Sequence, residues 1–373
     1  MELRLAAFYF AFFAYAGAFV AYFPLYLASR GLSPVEIAWL LALAPIARTF
    51  APTVWGWIAD RSGAHRGIVA FSCAVTAAGF ALIPFVDGIA WVIAIVSVLT
   101  GGALPLVEAI TIAHLGAQPG PQLGKYGPIR LWGSVSFMAV VLAGGVWLDW
   151  QPVSTLPAVL VICMLGALAA ALSLPARGAL AESRAARLQL TPAVRALLAA
   201  GFCNAVAHGA LYAFLSLHLE RHGYSSTAIG ALWTVGVLAE IVVFLYLPQL
   251  FRRYALSTIL GASLVCGLVR FIAIGWAADV LWIVLLAQLL HAATFGSFHA
   301  ASVAAVHRVF PAGAQALGQT LFSSVAYGAG AAAGLLLAGW AWEGGGAPLA
   351  FSACALAAGV GAIFAVQLKR AGL

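Results

Sequence analysis

Five ionisable side chains interrupt long apolar runs: Arg48, Arg130 and Arg270, with Glu108 and Glu240. An ionised group facing lipid costs roughly 2.5 kcal/mol or more. The five are therefore expected to face an internal cavity, where guanidinium and carboxylate groups can pair, hold an anion, or take up and release a proton. Three histidines share that setting, His208, His291 and His299. Imidazole is the side chain that exchanges its proton near neutral pH, yet a buried histidine standing alone is ordinarily a hydrogen-bonded packing residue, and His208 and His299 are read that way. His291 differs. It lies on the apolar run after Arg270, within reach of a Glu240 and Arg270 pair if the two helices are neighbours. The five cysteines are scattered singly among apolar residues, and no zinc, nucleophile, kinase or phosphate-loop pattern is present. No metal, cofactor or catalytic constellation is expected, and an enzyme has nothing to work with.

The elements that carry these residues follow from composition. With 64% hydrophobic and 8% charged residues in 373 positions, there is too little polar surface to coat a soluble globule. Runs of about 20 apolar residues number twelve, the first over 4–29 and the last over 347–367. The fold class is an all-α integral membrane protein of twelve transmembrane helices. With the N-terminus inside the cell, Arg4, Arg61, Arg66, Lys125, Arg177, Arg184, Arg187, Arg195, Arg252, Arg253, Arg308, Lys369 and Arg370 fall on the cytoplasmic side, and only Arg30 and Arg221 outside. That asymmetry predicts both termini in the cytoplasm. It also accounts for most of the net charge of +7 without a nucleic-acid partner. No soluble signalling domain remains for a sensor. Glycine clusters at Gly101-Gly102, Gly144-Gly145 and Gly328, Gly330, Gly334 are read as close-packing points between helices.

Arg48 and Glu240 occupy equivalent places in an internal repeat. Gly31 to Arg48 aligns without gaps on Gly223 to Glu240, matching Gly31 with Gly223, Ser33 with Ser225, Ile37 with Ile229, Leu40 with Leu232 and Ala47 with Ala239. Asp60-Arg61 then falls on Arg252-Arg253. A constant register of this kind predicts a duplicated, pseudo-symmetric bundle. The domains are expected as a six-helix bundle over 1–175, a cytoplasmic linker over 176–192 and a second six-helix bundle over 193–373.

The loop Gly56-Trp57-Ile58-Ala59-Asp60-Arg61-Ser62-Gly63-Ala64-His65-Arg66 resembles the G-x-x-x-D-R-x-G signature between the second and third helices of the major facilitator superfamily. That resemblance implies a conformational latch of Asp60, Arg61 and Arg66, with Asp60 at the dipole of the eleventh helix's N-terminus. Pro105 to Ala109, Tyr126 to Val135, Gly223 to Glu240 and Gly267 to Arg270 further resemble the lactose-permease-like branch, most of all its 3-phenylpropionic acid permeases. The branch's pattern implies substrate binding by Glu108 and Arg130, and a link between recognition and proton movement through Glu240, Arg270 and His291. Three departures bear on the substrate. Thr294 stands where the lactose pattern has a proton-coupling glutamate, Phe137 where it has a sugar-stacking tryptophan, and Arg48 where it has no charge. The expectation is a proton-coupled symporter of a small solute, an aromatic or other monocarboxylate. Arg48 would hold the carboxylate, and Phe137, Trp132 or Tyr212 would wall the apolar part. A sugar or nucleoside symporter and an exporter of amphipathic compounds are the alternatives. The partners are the solute, protons and the lipid bilayer of the cytoplasmic membrane, with the chain working as a monomer.

Overall fold

Backbone N–H and C=O groups find no water in hydrocarbon, so a spanning chain must satisfy them within its own helices. Among the described residues every regular element is indeed helical. The computed structural model describes residues 1–116, 123–175, 190–311 and 314–372. Most of the expected linker, with Arg177, Arg184 and Arg187, lies outside them, as does the side chain of Lys125.

In chain order the helices are α1 Glu2–Ser29, α2 Pro34–Ser62, α3 His65–Leu82, α4 Ile89–Gly116, α5 Leu123–Trp150 and α6 Leu156–Leu172. After them come α7 Pro192–Arg221, α8 Ser226–Arg253, α9 Leu256–Trp276 and α10 Leu281–Val309. The final apolar run, Leu317–Arg370, is 54 residues long, too long for one crossing. It breaks at Gly345-Gly346, where Gly346 takes φ 69°, a positive-φ conformation that glycine adopts freely. The break gives α11 (315–344) and α12 (347–370), so the described residues form the expected twelve helices.

By its internal contacts the chain divides into two units, Met1–Gly31 with Leu43–Glu182 and Ser225–Gly230, and Leu32–Ala42 with Ser183–Tyr224 and Ala231–Leu373. In the first, α1 packs on α5 and α6, and α3 on α4 and α6. Its spine is a file of aromatic rings along α1, Phe8, Phe12, Tyr15, Phe19, Phe23 and Tyr26, against which Phe80 of α3 sets its ring. Asp149, near the end of α5, accepts the backbone N–H groups of Ser226 and Thr227 at 2.7 and 3.1 Å. It caps two of the donors that a helix start leaves open. In the second unit the core gathers Leu197, Leu260, Leu264, Phe298, Phe322 and Leu368.

The repeat has a local geometry. Gly31 and Gly223 take φ values of 79° and 80°, the same left-handed turn before α2 and before α8. Each helix then opens on a serine cap, with Ser33 Oγ accepting from Glu36 N–H at 3.3 Å and Ser225 Oγ from Ala228 N–H at 3.1 Å. Ile37 and Ile229 are both buried, as are Leu40 and Leu232.

The glycine clusters are contact points. A Cβ at Gly334 of α11 would meet Val206 O of α7 at 2.5 Å and its Cα at 2.7 Å, and a Cβ at Gly330 would meet Phe202 O at 2.9 Å. The two backbones touch, which only glycine permits. Gly334→Ala is therefore expected to cost about 1–3 kcal/mol of stability. Gly56→Ala, with nothing within 4 Å of the new carbon, should be neutral or slightly stabilising. Thermal unfolding in detergent followed by tryptophan fluorescence separates the two, and an unshifted Gly334→Ala transition would contradict the backbone contact.

Candidate functional site

The charged residues of the apolar runs gather in one cluster in each unit, and the one in the second unit is built around Arg270. This side chain, on α9, is 1% exposed, and a buried guanidinium is tolerated only if its N–H groups are taken up. α10 supplies the acceptors. Arg270 Nη2 donates to Gln288 Oε1 at 2.8 Å, and Nη1 donates to Thr294 Oγ1 at 2.9 Å and to His291 Nδ1 at 3.0 Å. The three acceptors follow one another at intervals of three, a spacing that keeps them on one helix face. Gln288 is itself held by donating Nε2–H to Leu232 O at 3.0 Å.

These bonds fix the histidine. Arginine has donors only, so Nδ1 of His291 must offer its lone pair, and the neutral ring then carries its proton on Nε2. Nε2 faces Glu240 Oε2 of α8 at 3.8 Å. His291 thus stands between the guanidinium and the carboxylate. Close approach of α8 and α10 depends on small residues. A Cβ at Gly296 would lie 3.0 Å from Glu240 Cγ, and one at Gly236 would lie 3.4 Å from His291 Cβ. His208, read as a packing residue, bonds through Nδ1 to Asn204 O at 2.7 Å, and its ring lies among Tyr212, Phe271 and Phe295. Tyr212 stacks in turn on Trp233, with centroids 6.3 Å apart and planes at 14°.

The first unit's cluster is assembled by α1, α2, α4 and α5. Glu108 of α4 has Arg130 of α5 and Arg48 of α2 as its charged neighbours. Arg130 sets its guanidinium on the ring of Phe13 at 3.9 Å and near that of Tyr9 at 5.7 Å, a cation–π arrangement that stabilises the charge without cancelling it. Tyr9 reaches Thr111 Oγ1 at 3.4 Å and hydrogen-bonds to Tyr126. Phe137 packs beside Gly17 of α1. Trp132 is about half exposed and sets its ring against Phe10.

Asp60, Arg61 and Arg66 lie apart from both clusters, at the exposed junction of α2 and α3. Asp60 is 3.4 Å from His65 Nε2, Arg61 covers the ring of Trp57 at 4.1 Å, and Arg66 donates to Leu174 O at 3.5 Å.

Every residue expected at the site is thus placed: Glu240, Arg270 and His291 together in one unit with Tyr212 close by, and Arg48, Glu108 and Arg130 together in the other. Sequence reasoning missed Gln288, Tyr9, Thr111, Tyr126 and Asp149. Gln288 carries a usable signal, a lone amide three residues before His291 in an apolar run. Thr294, noted only as a lost carboxylate, is a ligand of the arginine.

The model of the MFS_1 like family matches residues 2–353. The "Probable 3-phenylpropionic acid transporter" of Escherichia coli (strain K12) is 28% identical over 359 residues, covering 91% of this chain and 90% of the relative. The "Maltose permease" of Geobacillus stearothermophilus is 27% identical, covering 94% and 90%. Among solved structures, the crystal structure of the nucleoside transporter NupG superposes with a TM-score of 0.83 at 16% identity, covering 99% of this chain and 98% of that one.

Gln288→Leu and Thr294→Val each leave a guanidinium N–H buried with one acceptor fewer. Each should lower stability by about 1–3 kcal/mol, read as a shift of the detergent unfolding transition. A wild-type transition in both variants would mean that the hydrogen bonds to Arg270 contribute nothing.

Proposed function

The chain belongs to the MFS_1 like family of major facilitator transporters, and on that premise we propose that it is a proton-coupled symporter of small monocarboxylates with an apolar or aromatic body. The observation that carries this proposal is that two guanidinium groups, Arg48 and Arg130, are the charged neighbours of one carboxylate, Glu108. In that cluster two arginines stand against one glutamate, and their sum is one positive charge in a medium where charge is costly. A bound carboxylate balances it, and guanidinium recognises carboxylate bidentately. Phe137, beside Gly17 of α1, supplies apolar surface for the rest of the solute. The 3-phenylpropionic acid named for one relative has this chemistry.

Coupling is assigned to the second unit. Glu240 is the carboxylate that gains and loses the proton, and His291 links it to Arg270. Thr294 cannot ionise, so the proton has Glu240 as its carboxylate there. Alternating access exposes the loaded site to each face in turn. Asp60, Arg61 and Arg66 bias that conformational balance without touching the solute. The bundles are assigned to 1–175 and 193–373, joined by the linker 176–192, with both termini on the cytoplasmic side by the distribution of basic residues. A neutral sugar or nucleoside is the second candidate solute, supported by the Glu108 and Arg130 pair and by the relative named as a maltose permease.

Two measurements decide. In proteoliposomes, counterflow is expected with labelled 3-phenylpropionate and not with maltose or uridine. Arg48→Gln should weaken carboxylate binding about tenfold to a hundredfold, because a hydrogen bond to a charged group is worth roughly 1.5–3 kcal/mol. Counterflow of sugar or nucleoside alone, unaffected by Arg48→Gln, would overturn the carboxylate assignment. Glu240→Gln should keep exchange but lose accumulation driven by a pH gradient, and undiminished uphill uptake by that variant would remove Glu240 from the coupling.

A further inference from the structure

His299 and Tyr327 form a polar pair that neither cluster includes. His299 Nδ1 lies 2.8 Å from Tyr327 Oη, and both side chains are half-buried. Two irregular stretches bring them together. Tyr327 sits in the π-helical segment Ser324–Gly330 of α11, and α10 carries a second one, Ala292–Ser297, between His291 and His299. In an α-helix of 3.6 residues per turn, side chains eight apart are rotated by about 80°. The wider i→i+5 turn carries residue 299 back under residue 291. The rings record it: His291 and Phe295 are nearly parallel at 9° with centroids 5.3 Å apart, and Phe295 and His299 at 8° and 6.2 Å. The column begins at the His291 that contacts Arg270 and Glu240. It descends α10 toward His307 and Arg308, the basic end that the charge rule assigns to the cytoplasm.

We propose that His299 carries the proton between the Glu240–His291 site and the cytoplasm, with Tyr327 as its positioning residue. The inference rests on the symport function proposed above. Tyr327 Oη accepts from the Nδ1–H of His299 and so holds the tautomer whose Nε2 has the lone pair. Nε2 takes up the proton that leaves the Glu240 site, forming an N–H bond and an imidazolium. It then gives the same proton to water at the cytoplasmic side, and the ring returns to its starting tautomer. One proton is moved and no other bond changes. Phe295 separates the two imidazoles, so the transfer between them passes through water and not by direct contact.

The test uses the full-length protein in proteoliposomes with labelled 3-phenylpropionate. His299→Gln and Tyr327→Phe should lower the rate of uptake driven by a pH gradient, the former by about a hundredfold. Exchange at equal pH on both sides, which needs no release of the proton, should stay within about twofold of wild type as a control for folding. His299→Ala should regain gradient-driven uptake when imidazole is added to the buffer. Equal losses of uptake and exchange would reassign the pair to packing, and unchanged gradient-driven uptake in His299→Gln would overturn the proposal. A wild-type protein that exchanges the solute without any response to the pH gradient would instead overturn the symport function, and the relay with it.

Discussion

A guanidinium in the middle of an apolar helix is the constraint from which the second unit is built. Arg270 is too deep to reach water, and an isolated charge there would cost several kcal/mol even after relaxation. Its three acceptors come from one face of α10, so α9 and α10 can pack in one register only. The same bonds settle the tautomer of His291 and turn its N–H toward Glu240. Gly236 and Gly296 then allow α8 and α10 close enough for that carboxylate to be reached. The stabilising network and the proposed coupling apparatus are thus the same groups, so a change that loosens one alters the other.

The first unit handles its charges differently. Arg130 has an aromatic face beneath it, Phe13 at 3.9 Å, and shares Glu108 with Arg48. A cation–π contact is worth roughly 0.5–2 kcal/mol, enough to offset part of the desolvation while leaving the charge available. Both terminal nitrogens of Arg270 have acceptors from the protein itself, whereas Arg130 has an aromatic ring and a shared carboxylate beside it. Buried arginine is thus accommodated in two ways in one chain, by hydrogen-bond acceptors in one unit and by an aromatic face in the other.

What the sequence reveals divides along physical lines. Helix number and the membrane class are legible because apolar length alone specifies them, even across the Gly345-Gly346 break that joins the last two helices in one continuous run. Arg48, Glu108, Arg130, Glu240 and Arg270 are legible as residues that gather inside the units because charge in hydrocarbon needs a reason. His291 is legible through its place after Arg270. Gln288, Tyr9 and Tyr126 are not, since an uncharged polar side chain can sit in an apolar run at modest cost and hydropathy does not say which face it occupies. The place of His299 is not legible for a different reason. Its alignment with His291 depends on an i→i+5 turn, and a 3.6-residue period applied to Ala292–Ser297 places the ring elsewhere. Asp149 escapes because its partners are backbone N–H groups far along the chain, which no side-chain pattern announces.

The count of charges also bears on why proton and solute should move together. On the symport proposal, the empty carrier with Glu240 ionised has three arginines against two glutamates, a net charge of +1. With a proton on Glu240 and an anion bound, the three arginines are counted against Glu108 and the solute, and the net charge is again +1. A proton without the anion gives +2 and an anion without the proton gives 0. In a low-dielectric interior a difference of one charge is a large energy, so the two half-filled forms differ electrostatically from the two forms that must change conformation. Conformational steps respond only to differences in interaction energy between states. A switch tuned to a single net charge would pass the empty and the fully loaded carrier alike and hold back the others. Coupling of this kind needs no contact between solute and proton, which is consistent with a chain that has Glu108 in one unit and Glu240, the carboxylate proposed to take the proton, in the other.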